Sequence, residues 1–388
     1  MPSVKYRLYF NHKPATIEQL DRFEDITVSQ AIGMAWSAEL QLPVVTDEQG
    51  KWSQEKYPFI AEFKPLRIEI KVGNGGFIPL IDGPIVGVRQ QLSSEPGKSM
   101  LTIRVQDDSY YLDREEKEYQ FENLSDDEIA RQLFAEFSKV IKEIRINDPI
   151  PPPPVKPNPD LRHKGTAMNV LRFLAERQTV DAYVLPGSKP GTSIGCFKEL
   201  PTEIDGLPSL VLLGSDRNVF NFNPSNNAQQ PRRFKACVLS LKDKHIARSE
   251  SDLEAIPSLG TDSTIPADAA VELLTPQYGE GVDLDRLVAA HTLRASYSIS
   301  ATGSVLSDFY GGVLSPYRLI QVCGADIKES GVYLVSKVTH RLTRSQYSQE
   351  FTLLRNARSK APAPNNNVGA VAGAVAVGFS FNAQGRIF

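Results

Sequence analysis

A chain of 388 residues is long enough for two or three domains with cores of their own, since a domain takes about 100–200 residues. Its formal charge of −3 leaves no basic surplus for nucleic acid or anionic lipid, so the expected partners are proteins. Three cysteines, Cys196, Cys237 and Cys323, lie far apart with no C-x-x-C pair, which argues against a disulfide framework and against a zinc site.

The start, MPSVKYRLYF, has no basic stretch leading into an apolar run, so no secretory signal is expected and cytoplasmic assembly is. Residues 4–10 predict a first strand, and 26–28 with 38–42 continue the sheet. Residues 64–72 (KPLRIEIKV) put Leu66, Ile68, Ile70 and Val72 on one face, and Gly73 to Gly76 (GNGG) turn the chain back into 77–80. Strands at 83–90 (GPIVGVRQ) and 100–106 (MLTIRVQ) follow. Short strands with a turn signal every 8–12 residues or so are the pattern of a barrel or sandwich.

Ser125 and Glu128 form a capping box, and Ile129, Leu133, Phe134, Phe137, Val140 and Ile141 predict an amphipathic helix after it. The prolines of 148–159 (DPIPPPPVKPNP) predict an extended connector. Thr166 caps a second helix whose inner face carries Val170, Leu171, Leu174 and Ala175. Strands are expected at 183–185, 210–213, 218–222 and 233–241, with a loop at 223–231. Residues 249–281 are polar and aperiodic, the pattern of an irregular insertion or exposed loop. Asp283 caps a short helix, and 297–301 resume the sheet.

The last structured stretch reads as a strand at 317–324, a turn at 325–329 and a long hairpin over 330–358 (SGVYLVSKVTHRLTRSQYSQEFTLLRNAR). Strict alternation places Val332, Leu334, Val338, His340 and Leu342 on one side of its first strand, and Tyr333, Lys337, Thr339 and Arg341 on the other. Tyr347, Phe351 and Leu353 mark the returning strand. From 359 the composition becomes Lys/Ala/Pro/Asn and then VGAVAGAVAVGF, an apolar run short of the ~20 residues a membrane span requires. It reads as a segment covered by a neighbouring chain, or as a flexible end.

Little in the chain suggests chemistry. The five histidines show no ligand spacing, so no metal or cofactor is expected, and His340 reads as a packed or interface histidine. Residues 187–193 (GSKPGTS) lack the G-K-[ST] ending of a phosphate loop, and GNGG precedes a strand rather than a helix. Of the carboxylate pairs, Asp126 and Asp127 suit a helix N-terminus, Glu115 and Glu116 a solvated face, and Asp107 with Asp108 cannot be placed across a cleft from sequence.

The ordered set of a strand into G-x-G-G, a G-P-I strand at Gly83, a strand ending in Asp107-Asp108 with Leu112, and the closing pattern Gly324, Gly331-x-Tyr333, Val338, His340, Tyr347 and Phe351 resembles the phage late control protein D family. That family includes the base of VgrG spikes and the baseplate hubs of contractile tails. The resemblance implies an α+β, mainly antiparallel β fold with two small β-barrels interleaved along the chain and peripheral helices, and makes these residues, Asp108 apart, ten structural motif positions. Residues 1–110 would form a first barrel, completed by strands in 205–245. Residues 111–204 would hold the helices, the connector and the start of the second barrel, with strands near Tyr183 joining it. Residues 205–282 would add strands and a polar insertion, 283–358 the second barrel, and 359–388 a tail. It further implies a structural, non-enzymatic homotrimer that adapts a hexameric tail tube or tube-initiator to a trimeric spike, among other baseplate proteins and cargo, first in the cytoplasm and then in a tail or injection particle. No needle or lysozyme-like sequence follows Arg358, so the spike is expected as a separate polypeptide and the tail as a tether to spike or cargo. A cell-wall hydrolase and a receptor- or carbohydrate-binding tail module are the competing classes.

Overall fold

The computed structural model describes residues 4–46, 59–95, 97–146, 161–240, 244–275 and 283–358; the proline run and the segment after 358 lie outside these. Beside the two-residue strand Lys13–Pro14, which pairs with the first of them, six strands come from the N-terminal part: β1 (Val4–Phe10), β2 (Asp25–Ala31), β3 (Ser37–Pro43), β4 (Pro65–Val72), β5 (Ile78–Gln91) and β6 (Met100–Gln106). Six more come from the C-terminal part: β7 (Leu210–Val211), β8 (Val219–Asn226), β9 (Ile299–Leu306), β10 (Arg318–Cys323), β11 (Gly331–Thr343) and β12 (Tyr347–Arg355).

Hydrogen bonding orders the first six as β1-β4-β5-β6-β3-β2 and the second six as β7-β10-β11-β12-β9-β8. Each set therefore follows one rule: first, fourth, fifth, sixth, third, second. All pairings are antiparallel except the two-residue β7, which runs parallel to β10. In each set the fifth strand is the longest, and it gives its first half to the fourth strand and its second half to the sixth. Alternation along these strands fills two separate cores, one around Leu8, Ile26, Leu40, Leu66 and Ile103, the other around Ile299, Val305, Ile320, Val335 and Leu353.

β5 was expected as two strands. It is one bent strand, with a bulge between Ile85 and Gly87 that turns it from β4 to β6 without breaking the ladder. The strands in 205–245 do not complete the first barrel: β7 pairs with β10 and β8 with β9, because their apolar side chains, Leu210 above all, point into the C-terminal core.

Residues 109–146 and 161–199 form an α/β module with its own core. Helices α1 (Asp126–Glu136) and α2 (Ala167–Glu176) pack on the strands Val180–Pro186, Ser193–Glu199 and Ile141–Ile146. The capping box is present, with Glu128 N donating to Ser125 Oγ at 3.3 Å and Ser125 N to the Glu128 carboxylate at 2.8 Å. The helix stops at Phe137, whose φ of −99° and ψ of 28° leave the helical range, and Ile141 opens a strand instead. The strand around Tyr183 belongs to this module, where Val180, Ala182 and Val184 are buried, and not to the second barrel.

The described part of the 249–281 segment, up to 275, contains short strands. Val271–Leu274 runs parallel to Arg233–Ser240 beneath helix α3 (Leu284–Ser296), and Asp262–Ser263 pairs with Ala357–Arg358. The loop at 223–231 begins later than expected, since β8 continues to Asn226. No helix among the described residues is long and apolar enough to cross a membrane.

Candidate assembly surface

The two barrels share β11. Its first residues pair with β10 (Leu319 with Leu334), whereas from Lys337 to Thr343 that edge pairs with β2 (Thr339 with Ser29, His340 with Val28). The changeover falls at Ser336, where the register against β12 shifts and Ile32 N donates to the Ser336 carbonyl at 2.9 Å. One extra residue reverses the parity of a strand. Tyr333 and Val335 before the bulge and Val338 after it consequently enter the same C-terminal core, so the strict alternation expected over 332–342 holds only beyond Ser336.

His340 sits at this junction with no exposed surface. Gln30 Nε2 donates to the Leu80 carbonyl at 2.7 Å, which turns Gln30 Oε1 toward His340 Nε2 at 3.2 Å. The ring therefore carries its proton on Nε2 and accepts from the Tyr347 hydroxyl at Nδ1, 2.8 Å away. Burial holds its pKa down at about 3, and the residue is a neutral strut between β2, β5, β11 and β12.

The other motif positions are dispersed. A Cβ on Gly83 would lie 2.0 Å from the Gln106 carbonyl, so β5 can cross the end of β6 only with glycine there. Asp107, one residue on, accepts from Trp36 N at 2.6 Å and from the backbone and hydroxyl of Ser109, tying β6 to the loop before β3. Leu112 lies in the core of the α/β module. Gly324, with φ of +78°, turns the chain after β10, and Gly331 opens β11. The Tyr333 hydroxyl donates to the Glu329 carbonyl at 2.7 Å while its ring faces the Arg355 guanidinium, and Phe351 packs over Gly303.

Two contacts that sequence reasoning missed hold the module to the barrels. Arg67, on β4, donates to Glu69 (2.8 Å), Asp82 (3.0 Å) and the carbonyls of Gly187 (2.8 Å) and Lys189 (3.2 Å), while Gly191 N donates to Asp82 at 2.9 Å. The GSKPGTS turn is thus a plug seated on the first barrel. Tyr317 adopts φ of +61°, rare for a bulky side chain, stacks on Tyr183 at 3.6 Å between centroids, and accepts from Gly33 N at 2.9 Å. Tyr317→Phe keeps the stack and removes that bond, so a loss of about 1 kcal/mol in urea unfolding is expected. Arg67 gave no local signal because it occupies the outward face of an alternating strand. Gln30, a polar residue in the inward register of Ile26 and Val28, did give one.

One outward face of the sheet runs unbroken across both barrels. A single row in register reads Asn221, Ser304, Glu350, Thr339, Ser29, Ser37 and Gln106 over seven strands. A neighbouring row reads Ser348, Arg341, Thr27, Glu39, Arg104 and Gly87. Arg341 pairs with Asp25 at 2.7 Å and Arg104 with Glu39 at 3.7 Å, so the charges in this belt are largely balanced. Neither row contains a large apolar side chain. Among the described residues no group of His, Cys, Asp and Glu is placed to hold a metal ion.

Solved structures place this architecture. A 43 kDa tail protein of prophage MuSo2 from Shewanella oneidensis matches with a TM-score of 0.63 at 14% identity, covering 91% of this chain and 99% of that one. A tail protein from Neisseria meningitidis MC58 gives 0.61 at 12% identity over 91% and 97%. A component of the type VI secretion system from E. coli, itself similar to bacteriophage T4 tail proteins, gives 0.50 at 11% identity over 88% and 76%. No family model and no curated protein sequence matches. The chain has the mainly antiparallel β fold of phage tail and type VI-related proteins, as its sequence resemblance implied.

Proposed function

We propose that this chain is a structural baseplate hub of a phage tail or phage-like contractile injection particle. Three copies form a ring that adapts a hexameric tail tube, or its initiator, to a trimeric spike. The observation that carries this reading is the repeated strand order: one chain holds two barrels built to one plan, so three chains supply six like units to one side and keep threefold order on the other. The polar belt suits the wall of the bore, since hydroxyl and amide side chains with paired charges offer no adhesive apolar surface to what passes. Fold likeness over about nine-tenths of the chain to tail proteins supports the same reading. Native mass measurement of the complex isolated with its tail neighbours is expected to contain three copies; one, two or six copies would end the proposal.

A further inference from the structure

The repeated plan has one junction made and its counterpart left open. Inside the chain, β2 of the first barrel pairs with the second half of β11 of the second. The equivalent partners are β8, the second strand of the second barrel, and the second half of β5 in the first. Among the described residues neither has a strand on that edge: β8 pairs only with β9, and residues 87–91 of β5 pair only with β6. Resting on the hub reading, we infer that β8 of one copy adds antiparallel to the second half of β5 of the next, closing the ring as one continuous sheet.

The bulges set the register. Matching Ile85/Gly87 of β5 to Val335/Lys337 of β11 equates Val88 with Val338, Gln90 with His340 and Leu92 with Leu342. Following the ladders through β3 and β9 equates Phe222 with Ile26, Pro224 with Val28 and Asn226 with Gln30. The internal pairs Val338–Gln30, His340–Val28 and Leu342–Ile26 thus become Val88–Asn226, Gln90–Pro224 and Leu92–Phe222 between copies.

Chemical character agrees at all six positions: apolar stands for apolar, and an amide stands for each member of the His340–Gln30 contact. Burial does not agree. The six internal residues are at most 4% exposed, whereas Phe222 and Val88 are half-buried and Pro224, Asn226, Gln90 and Leu92 exposed, as a cut interface requires. Because Asn227 N bonds back to the carbonyl of Ser298, the residue just before β9, alternate residues Asn226, Pro224 and Phe222 turn their backbone groups outward. Pro224 has no N–H to give, so this seam carries one bond fewer than the internal junction. Such an interface is head-to-tail, and rings follow where the rotation closes.

The non-hydrogen-bonded pair Ser225–Arg89 is the place to test it, since its Cα atoms would lie about 4.5 Å apart, within reach of a disulfide. The full chain carrying Ser225→Cys with Arg89→Cys, oxidised in intact particles, is expected to give covalent trimers, and each single variant none. Asn223→Cys with Gln91→Cys, one pair along, serves if the first variant melts below wild type. A threefold complex in which neither double variant cross-links would overturn the seam and leave the hub reading standing. Absence of any threefold complex would overturn both.

Discussion

Arg67→Met is expected to destabilise the protein by about 3–5 kcal/mol, read as a shift in urea midpoint at constant m-value. The guanidinium is 1% exposed and is the shared partner of Glu69, Asp82 and two carbonyls of the GSKPGTS turn. Methionine fills similar volume, so the loss reports the carboxylates left buried without their cation, and the plug without its two donors. The same variant should release the turn, seen as faster amide exchange over 187–193. A change below 1 kcal/mol would show that the module docks by apolar contact alone.

Asp108→Asn should act in the opposite direction. Asp108 is buried beside Asp82 and Asp107 and accepts from Ser193 Oγ at 2.6 Å. Burial first, then its two carboxylate neighbours, push its pKa up from 3.8 to about 7, against the opposing pull of the Ser193 bond and Arg67; burial likewise raises Asp107 to about 6. Asp127, also raised, lies apart on α1.

Between pH 4 and 7 the folded chain therefore holds a proton on Asp108 that the unfolded chain has lost. Stability falls as pH rises through that window and is level above it. Asparagine keeps an acceptor for Ser193 and removes the ionisation, so at pH 8 the variant is expected to be more stable than wild type by up to about 4 kcal/mol. At pH 4 the two should be equal. Thermal unfolding at both values checks this, and a wild type whose stability rises from pH 5 to 8 would contradict it.

Most strands were legible because each reads inward by twos: β1, β4 and β6 fall within a residue of their expected bounds. What the pattern could not carry was anything set by residues far apart. Ser336 looks like an ordinary strand position, yet it reverses the parity of β11. Tyr183 alternates as well as any barrel residue, but its strand is claimed by the α/β module through Ala182 and Val184. Leu210 contributes only two residues of strand, and nothing local says which barrel they join. The duplicated plan was hidden for a related reason, since equivalent positions such as Val28 and Pro224, or His340 and Gln90, match in character rather than identity. Gly83 was singled out by resemblance, and it stands where a Cβ would meet the Gln106 carbonyl. Arg67 and Tyr317, whose roles come from what lands on them, were not singled out.

The most direct test is a reconstruction of the intact particle by electron cryo-microscopy that locates the belt residues Ser29, Thr339 and Glu350. Three copies around the axis with these side chains lining the bore, six barrels in one ring, is the predicted result. Any other copy number, or a belt turned outward against the sheath or solvent, would contradict it.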